Sequence, residues 1–413
     1  MKINNYYLAN EKLFKFCVVF LFYCLFYSLI LIGFLNFPNF WIFRAHLNRD
    51  FIFQDLWAIL WLSEHLDKFD ESVYLPIEEF GGTGYTNGYF GLVFLSSLGM
   101  KVSHFIPISV ILIILMLYVF SYITFQLNHQ KIKIKYTILV FCSPVIWFLF
   151  ERLNTDIIIV ILLFFATSLF RKHELVSFFI IFFTVLLKHY TIPILFLFPF
   201  ITKKRVFRYI YILISFLALL IFIKEWLMIT YEKPWTLISS FGVTNSGIWI
   251  NKVSQFILNQ DLLASKYSEY IFGLSLFLFF TYLICRYLKH LFTPLSDITY
   301  IPANNFLNYF LLFSSITHIF TYIAPSSVYD YKLVFFLFSG VLLLYGDNNK
   351  SLVKFQPIFL VALWTSGWGY HPNDYLFILL QFISDICIFV FSCIILIHIL
   401  ITLNFIDFKK KKL

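Results

Sequence analysis

The sequence predicts an all-α, polytopic membrane protein with about twelve transmembrane helices. Three observations predict it. Of 413 residues, 61% are hydrophobic and 13% charged, and the mean hydropathy is +0.84. A soluble domain is about half apolar and about a quarter charged. The apolar residues also fall into repeated runs, and a span needs roughly 17–25 of them. Finally, the basic residues gather in alternate loops between those runs. The 56 Phe and 26 Tyr are read first as lipid-facing bulk.

Taken in order, the first run is Phe14–Leu35, behind Lys2, Lys12 and Lys15. It lacks a small-residue cleavage motif and reads as a retained span rather than a signal peptide. A polar segment follows, from Asn36 to Lys101. It holds an amphipathic piece, Asp55–Leu66, and a turn, Gly81-Gly82-Thr83-Gly84, before the interfacial run Tyr89–Met100. That turn has no Lys-Ser/Thr ending, so it is no P-loop. The next expected spans are His104–Phe125, Tyr136–Phe150, Asp156–Phe170, Leu175–Leu187, Tyr190–Ile201 and Tyr209–Ile223. A second polar segment, Lys224 to Lys266, precedes Tyr267–Cys285, Phe306–Tyr322, Lys332–Tyr345, Phe355–Gly369 and Tyr375–Leu403. Several middle runs are shorter than a full crossing. They are expected to tuck against neighbours or stop at a cavity, where irregular backbone is tolerated. The chain, 1–413, reads as one integral membrane domain with outer loops at 36–101 and 224–266.

Charge orients this pattern. With the N-terminus in the cytoplasm, about two thirds of the 31 Lys and Arg fall inside, among them Lys131, Lys133, Lys135, Arg171, Lys172, Lys203, Lys204, Arg205, Arg208 and the tail Lys409–Lys412. That is the bias of the positive-inside rule, and it puts both termini in the cytoplasm. The expected location is a bacterial inner membrane. The net charge of +9 is therefore an orientation signal, and no nucleic-acid partner is expected. All six cysteines lie in apolar runs without metal-type spacing, so no disulfide, zinc site or other metal is expected.

Polar residues collect where apolar runs meet the outer surface: Asp50, Asp55, Glu64 and His65; Glu151, Arg152, Asn154 and Asp156; Lys188 and His189; Tyr329, Asp330 and Lys332; His371 and Asp374. Ionisable groups at membrane depth are costly and tend to face a working cavity. The plainer reading is that headgroups solvate them.

Phe150-Glu151-Arg152-Leu153-Asn154-Thr155-Asp156 opens one run, and Leu187-Lys188-His189-Tyr190-Thr191-Ile192-Pro193 opens another. Together with Asp55-Leu56-Trp57 and the later Tyr74, they resemble glycosyltransferase family 87, over roughly Gln54 to Arg208 and more loosely Pro325 to Leu333. Leu153 stands where that family has Gly, Pro193 comes late, and Ser327–Lys332 holds no His. The resemblance implies a GT-C-like fold and a polyprenyl-phosphate sugar donor.

The residue types suit such a transfer. An inverting reaction needs a carboxylate to take the proton of the acceptor hydroxyl. Asp55 is the first candidate and Asp50 the second, with Asp50 alternatively capping the helix that follows. The leaving phosphate needs cations, and Arg152, Lys188 and Lys332 can supply them. His189, Glu151, Asn154 and Tyr331 complete the expected donor and substrate site. No cofactor is expected. The expected partners are the lipid-linked donor, a lipid or glycan acceptor and membrane lipids, and the sugar is a hexose such as mannose. Retaining hydrolysis would need a second carboxylate about 5 Å away, and the spacing of Asp50 and Asp55 does not offer it. A transporter or flippase for lipid-linked saccharides would share the spans, but it should show internal repeats, and none is found. A non-catalytic assembly protein is the other alternative.

Overall fold

The computed structural model describes residues 2–36, 53–69, 89–128, 134–202, 205–232, 243–258, 262–263, 265–288, 305–323, 333–345, 352–366 and 375–402. Among these, every regular element is helical. In chain order they are α1 (Lys2–Asn36), α2 (Gln54–Glu64), α3 (Leu66–Phe69), α4 (Tyr89–Ser97), α5 (Phe105–Asn128), α6 (Ile134–Phe141), α7 (Pro144–Arg152), α8 (Thr155–Leu169) and α9 (Glu174–Leu187). Then come α10 (Ile192–Ile201), α11 (Arg205–Glu232), α12 (Val243–Leu258), α13 (Lys266–Leu288), α14 (Asn305–Ile323), α15 (Leu333–Tyr345), α16 (Gln356–Thr365) and α17 (Tyr375–Thr402).

Five stretches among the described residues are long and apolar enough to cross a bilayer: Lys12–Ile32, Val102–Leu127, Tyr267–Tyr287, Phe306–Ile323 and Ile378–Ile401. Thr155–Leu169, Glu174–Leu187, His189–Ile201, Val206–Leu220 and Gln356–Thr365 are apolar but shorter. This is the make-up of an all-α integral membrane protein. Large apolar side chains point outward from α1 (Leu21, Leu25, Leu29), α11 (Leu213, Leu217, Leu220) and α13 (Ile271, Leu278, Phe279). Lipid tails are as apolar as Leu, so such faces carry no penalty in a bilayer. α14 and α15 are interior, and Leu333 through Phe338 are fully buried.

The expected single run Tyr136–Phe150 is divided into α6 and α7. Pro144 is the cause. It has no N–H to donate and its ring clashes with the preceding turn, but it suits the first position of a new helix. The break leaves the Phe141 carbonyl without a helical partner, and the buried Tyr27 hydroxyl donates to it. Tyr27 also packs on Phe150, with ring centroids 4.6 Å apart, and Phe120 stacks on Phe141 at 4.6 Å. These contacts fix α7 against α1 and α6 against α5.

Around the opposite end of α7, α2 packs on α4, α5 and α7, while α8 lies along α9. α4 reaches α9 through Gly91. A Cβ there would stand 2.7 Å from the Leu186 carbonyl, so only glycine allows this approach.

Candidate active site

Four helix ends meet at the candidate site, and the turn between α7 and α8 sets their geometry. Leu153 caps α7 with φ 46° and ψ 51°, in the left-handed region. A bulky residue there is an outlier and costs about 1–3 kcal/mol. Glycine is the residue best suited to that conformation. Leu153 is held there by full burial. The turn hands the chain to Asn154, which caps α8 by accepting the Asp156 N–H on its side-chain oxygen at 3.2 Å.

A second left-handed residue prepares the other half. Phe53, with φ 65°, precedes α2, and its N–H donates to the Glu151 carbonyl at 2.7 Å. That bond ties the start of α2 to the end of α7. Asp55 then falls in the first turn of α2, where a carboxylate is favoured by the helix dipole.

The side chains form one continuous network. An Arg152 Nη2–H donates to Asp55 Oδ1. Asn154 Nδ2 donates to Asp55 Oδ2 at 2.6 Å. Lys188, capping α9 in extended conformation, donates from Nζ to Asn154 Oδ1 at 2.6 Å and to the two Asp156 oxygens at 3.2 and 3.1 Å. The Tyr190 hydroxyl donates to Asp156 Oδ1. The turn carrying Lys188 is pinned by Thr191 Oγ1, which donates to the Lys188 carbonyl at 3.0 Å and accepts from Thr184 Oγ1 at 3.0 Å. Asn154 is therefore the bridge: its amide nitrogen serves Asp55 and its oxygen serves Lys188.

Two ion pairs share this network but differ in setting. Lys188 and Asp156 are 6% and 0% exposed, whereas Arg152 and Asp55 are each 15% exposed. The inner pair is shut away, and the outer pair keeps partial access. Buried charges persist only when paired and hydrogen-bonded, and the inner pair meets that condition.

Of the sequence-expected residues, Asp55, Arg152, Asn154 and Lys188 are brought together. Glu151 contributes its main-chain carbonyl to the Phe53 bond, and its side chain is buried. His189 lies on the turn after Lys188, its ring 5.2 Å from that of Phe222 on α11. Asp50, Tyr331 and Lys332 lie outside the described residues, as do the Gly81–Gly84 turn, Tyr74, His371 and Asp374. Sequence reasoning grouped Asp156 with the outer polar residues without giving it a role, and gave none to Tyr190. Their signals were present: an Asn-x-Asp opening of an apolar run, and a Tyr two residues after Lys188. A further polar seam was not anticipated. Trp249 Nε1 on α12 donates to Asp385 Oδ2 at 2.6 Å, fastening α12 to α17, and within α17 Gln381 Nε2 donates to Asp385 Oδ1 at 3.0 Å.

Comparison of the chain with protein-family models, with curated proteins and with solved structures finds no match.

Proposed function

We propose that this chain is an inverting membrane glycosyltransferase. It would move a hexose from a polyprenyl-phosphate donor to a lipid or glycan acceptor on the outer face of a bacterial inner membrane. The reading includes a GT-C-like arrangement of about twelve spans with both termini in the cytoplasm. The observation that carries it is the Asp55 carboxylate, held by Arg152 and Asn154 at a partly accessible junction of helix ends.

The chemistry follows from the donor and acceptor inventory. A carboxylate has about four lone-pair sites. Arg152 and Asn154 each occupy one, so Asp55 can still accept the proton of an incoming hydroxyl. That oxygen attacks the anomeric carbon from the face opposite the phosphate. The bond to phosphate breaks, and the polyprenyl phosphate leaves with the electron pair. Its growing charge needs a cation, and Arg152 presents a fork of donors beside the base. Lys188 has its ammonium directed at Asn154 and Asp156. In this reading it is a positioning residue that aims Asn154, rather than a phosphate ligand.

The test is direct. Membranes bearing the chain are incubated with a panel of labelled polyprenyl-phosphate hexoses, and the products are resolved. Transfer that disappears in Asp55→Asn supports the reading. No transfer from any donor of the panel overturns it.

A further inference from the structure

Tyr190 stands two residues after Lys188 and joins two parts of the bundle. Its hydroxyl donates to Asp156 Oδ1, and its ring packs edge-on against Phe335 in the first turn of α15, with centroids 5.6 Å apart. Lys188 Nζ lies 5.8 Å from the centre of the same ring. Phe335 and Asp156 are fully buried, while Tyr190 between them is half-buried. The ring contact sets the direction of the hydroxyl.

Asp156 is the hub of the inner half of the network. Its N–H donates to Asn154 Oδ1 at 3.2 Å, and its carboxylate oxygens hold the Lys188 ammonium at 3.1 and 3.2 Å. The same ammonium donates to Asn154 Oδ1 at 2.6 Å, and Thr155 Oγ1 donates to that oxygen at 3.1 Å. Lys188 is the charged donor of the three. With its oxygen so engaged, the Asn154 amide turns its nitrogen to Asp55 Oδ2 at 2.6 Å. An ammonium only donates and a carboxylate only accepts. The reversed amide would therefore set oxygen against oxygen at Asp55 and N–H against N–H at Lys188.

Lys188 is shared between two acceptors, and it lies closer to Asn154 than to Asp156. A buried carboxylate needs its lone pairs satisfied. Without a second side-chain donor, Asp156 would draw the ammonium to itself and away from Asn154. The Tyr190 hydroxyl is that second donor. We infer that Tyr190 is a positioning residue for Asp55: through Asp156 and Lys188 it keeps the Asn154 amide directed at that carboxylate. Its weight in catalysis rests on the glycosyltransferase reading, but the coupling of Tyr190 to Asn154 does not.

The experiment uses the full chain in lipid nanodiscs with the panel of polyprenyl-phosphate hexoses. Tyr190→Phe removes the hydroxyl and keeps the ring on Phe335. Turnover should fall about three- to tenfold, the weight of one hydrogen bond, with donor and acceptor KM unmoved. Asn154→Ser retains a helix cap but is too short to join Asp55 to Lys188. In that background Tyr190→Phe should lower turnover no further. Losses that multiply independently, or wild-type turnover in Tyr190→Phe, overturn the inference and leave the transferase standing. A second readout needs no activity. In protein with ring-labelled tyrosine, the infrared C–O band lost in Tyr190→Phe reports the hydrogen bond of that hydroxyl. The band should move in Asn154→Ser, because Lys188 then turns wholly to Asp156. A band that stays fixed overturns the inference. No transfer from any donor rejects the transferase, and a band that moves then still supports the coupling.

Discussion

Phe53 and Leu153 are the non-glycine residues with positive φ among the described residues, at 65° and 46°, and they flank a single hydrogen bond from the Phe53 N–H to the Glu151 carbonyl. One launches the helix that bears Asp55. The other separates Arg152 from Asn154. Strained backbone persists only where surrounding structure over-determines it, and it collects at working sites. Its position here, on both sides of the Asp55 network, is the backbone counterpart of the side-chain convergence.

Replacing Leu153 separates strain from burial. Leu153→Gly relieves about 1 kcal/mol of strain but empties a fully buried site worth about 3 kcal/mol, so a net loss of about 2 kcal/mol is expected. Activity per folded molecule should survive, because glycine keeps the left-handed turn. Leu153→Val retains much of the volume but cannot hold the turn. It should swing Asn154 away and lose transfer. Unfolding in detergent together with turnover checks both, and an active Leu153→Val variant would sink the argument.

For Asp55, substitution by Asn should slow transfer by about 10²–10⁴, the usual weight of a general base. Lipid-donor binding should be retained. Asp50→Asn should act more weakly. Single-turnover transfer measures each, and an inactive Asp50 variant beside an active Asp55 variant would exchange their roles.

Arg152→Lys keeps the charge and removes the planar fork. Donor KM should rise while protein yield holds. Arg152→Ala should cost on the order of 2–5 kcal/mol in kcat/KM, since Asp55 then loses its charged partner. Unchanged donor kinetics in Arg152→Ala would remove Arg152 from the phosphate role.

Lys188 and Asp156 form the shut-away pair, so breaking it from one side should be severe. Lys188→Met is expected to destabilise by about 3–5 kcal/mol, because Asp156 is left buried and uncompensated. Adding Asp156→Asn should return part of that loss, with a coupling of about 1–3 kcal/mol in a double-mutant cycle. Simple additivity would show that the two side chains do not act as a pair.

Gly91→Ala tests the scaffold rather than the chemistry. Its Cβ would meet the Leu186 carbonyl at 2.7 Å, two residues before Lys188. Overpacking of this kind costs about 1–3 kcal/mol, and Gly91→Val should cost more than Gly91→Ala. Matching melting temperatures for wild type and both variants would show that α4 does not rest on α9 in this way.

Much of the candidate site was legible in the sequence. Asp55, Arg152, Asn154 and Lys188 stand at the ends of apolar runs, and charge at such positions is expensive unless it faces a shared cavity. What could not be read was which cation serves which anion. Two cations, Arg152 and Lys188, and three carboxylates, Asp55, Glu151 and Asp156, allow several pairings, and local spacing does not choose among them. Lys188 read as a phosphate ligand because Asp156, thirty-two positions earlier, had no visible link to it. The division of Tyr136–Phe150 was signalled by Pro144, whose missing N–H ends a helix locally, but hydropathy alone passes over it.

By itself, the sequence determined that this is an α-helical protein for a membrane. Composition and run length act residue by residue, and burial of backbone polar groups in lipid leaves helices as the local solution. Only the tertiary structure decided that Asn154 bridges Asp55 to Lys188, that Asp156 and Tyr190 belong to the same network, and that Leu153 adopts a turn better suited to glycine. Those outcomes depend on the packing of α2, α7, α8 and α9 together. Each contact joins residues far apart in the chain, and its energy exists only once the helices have met.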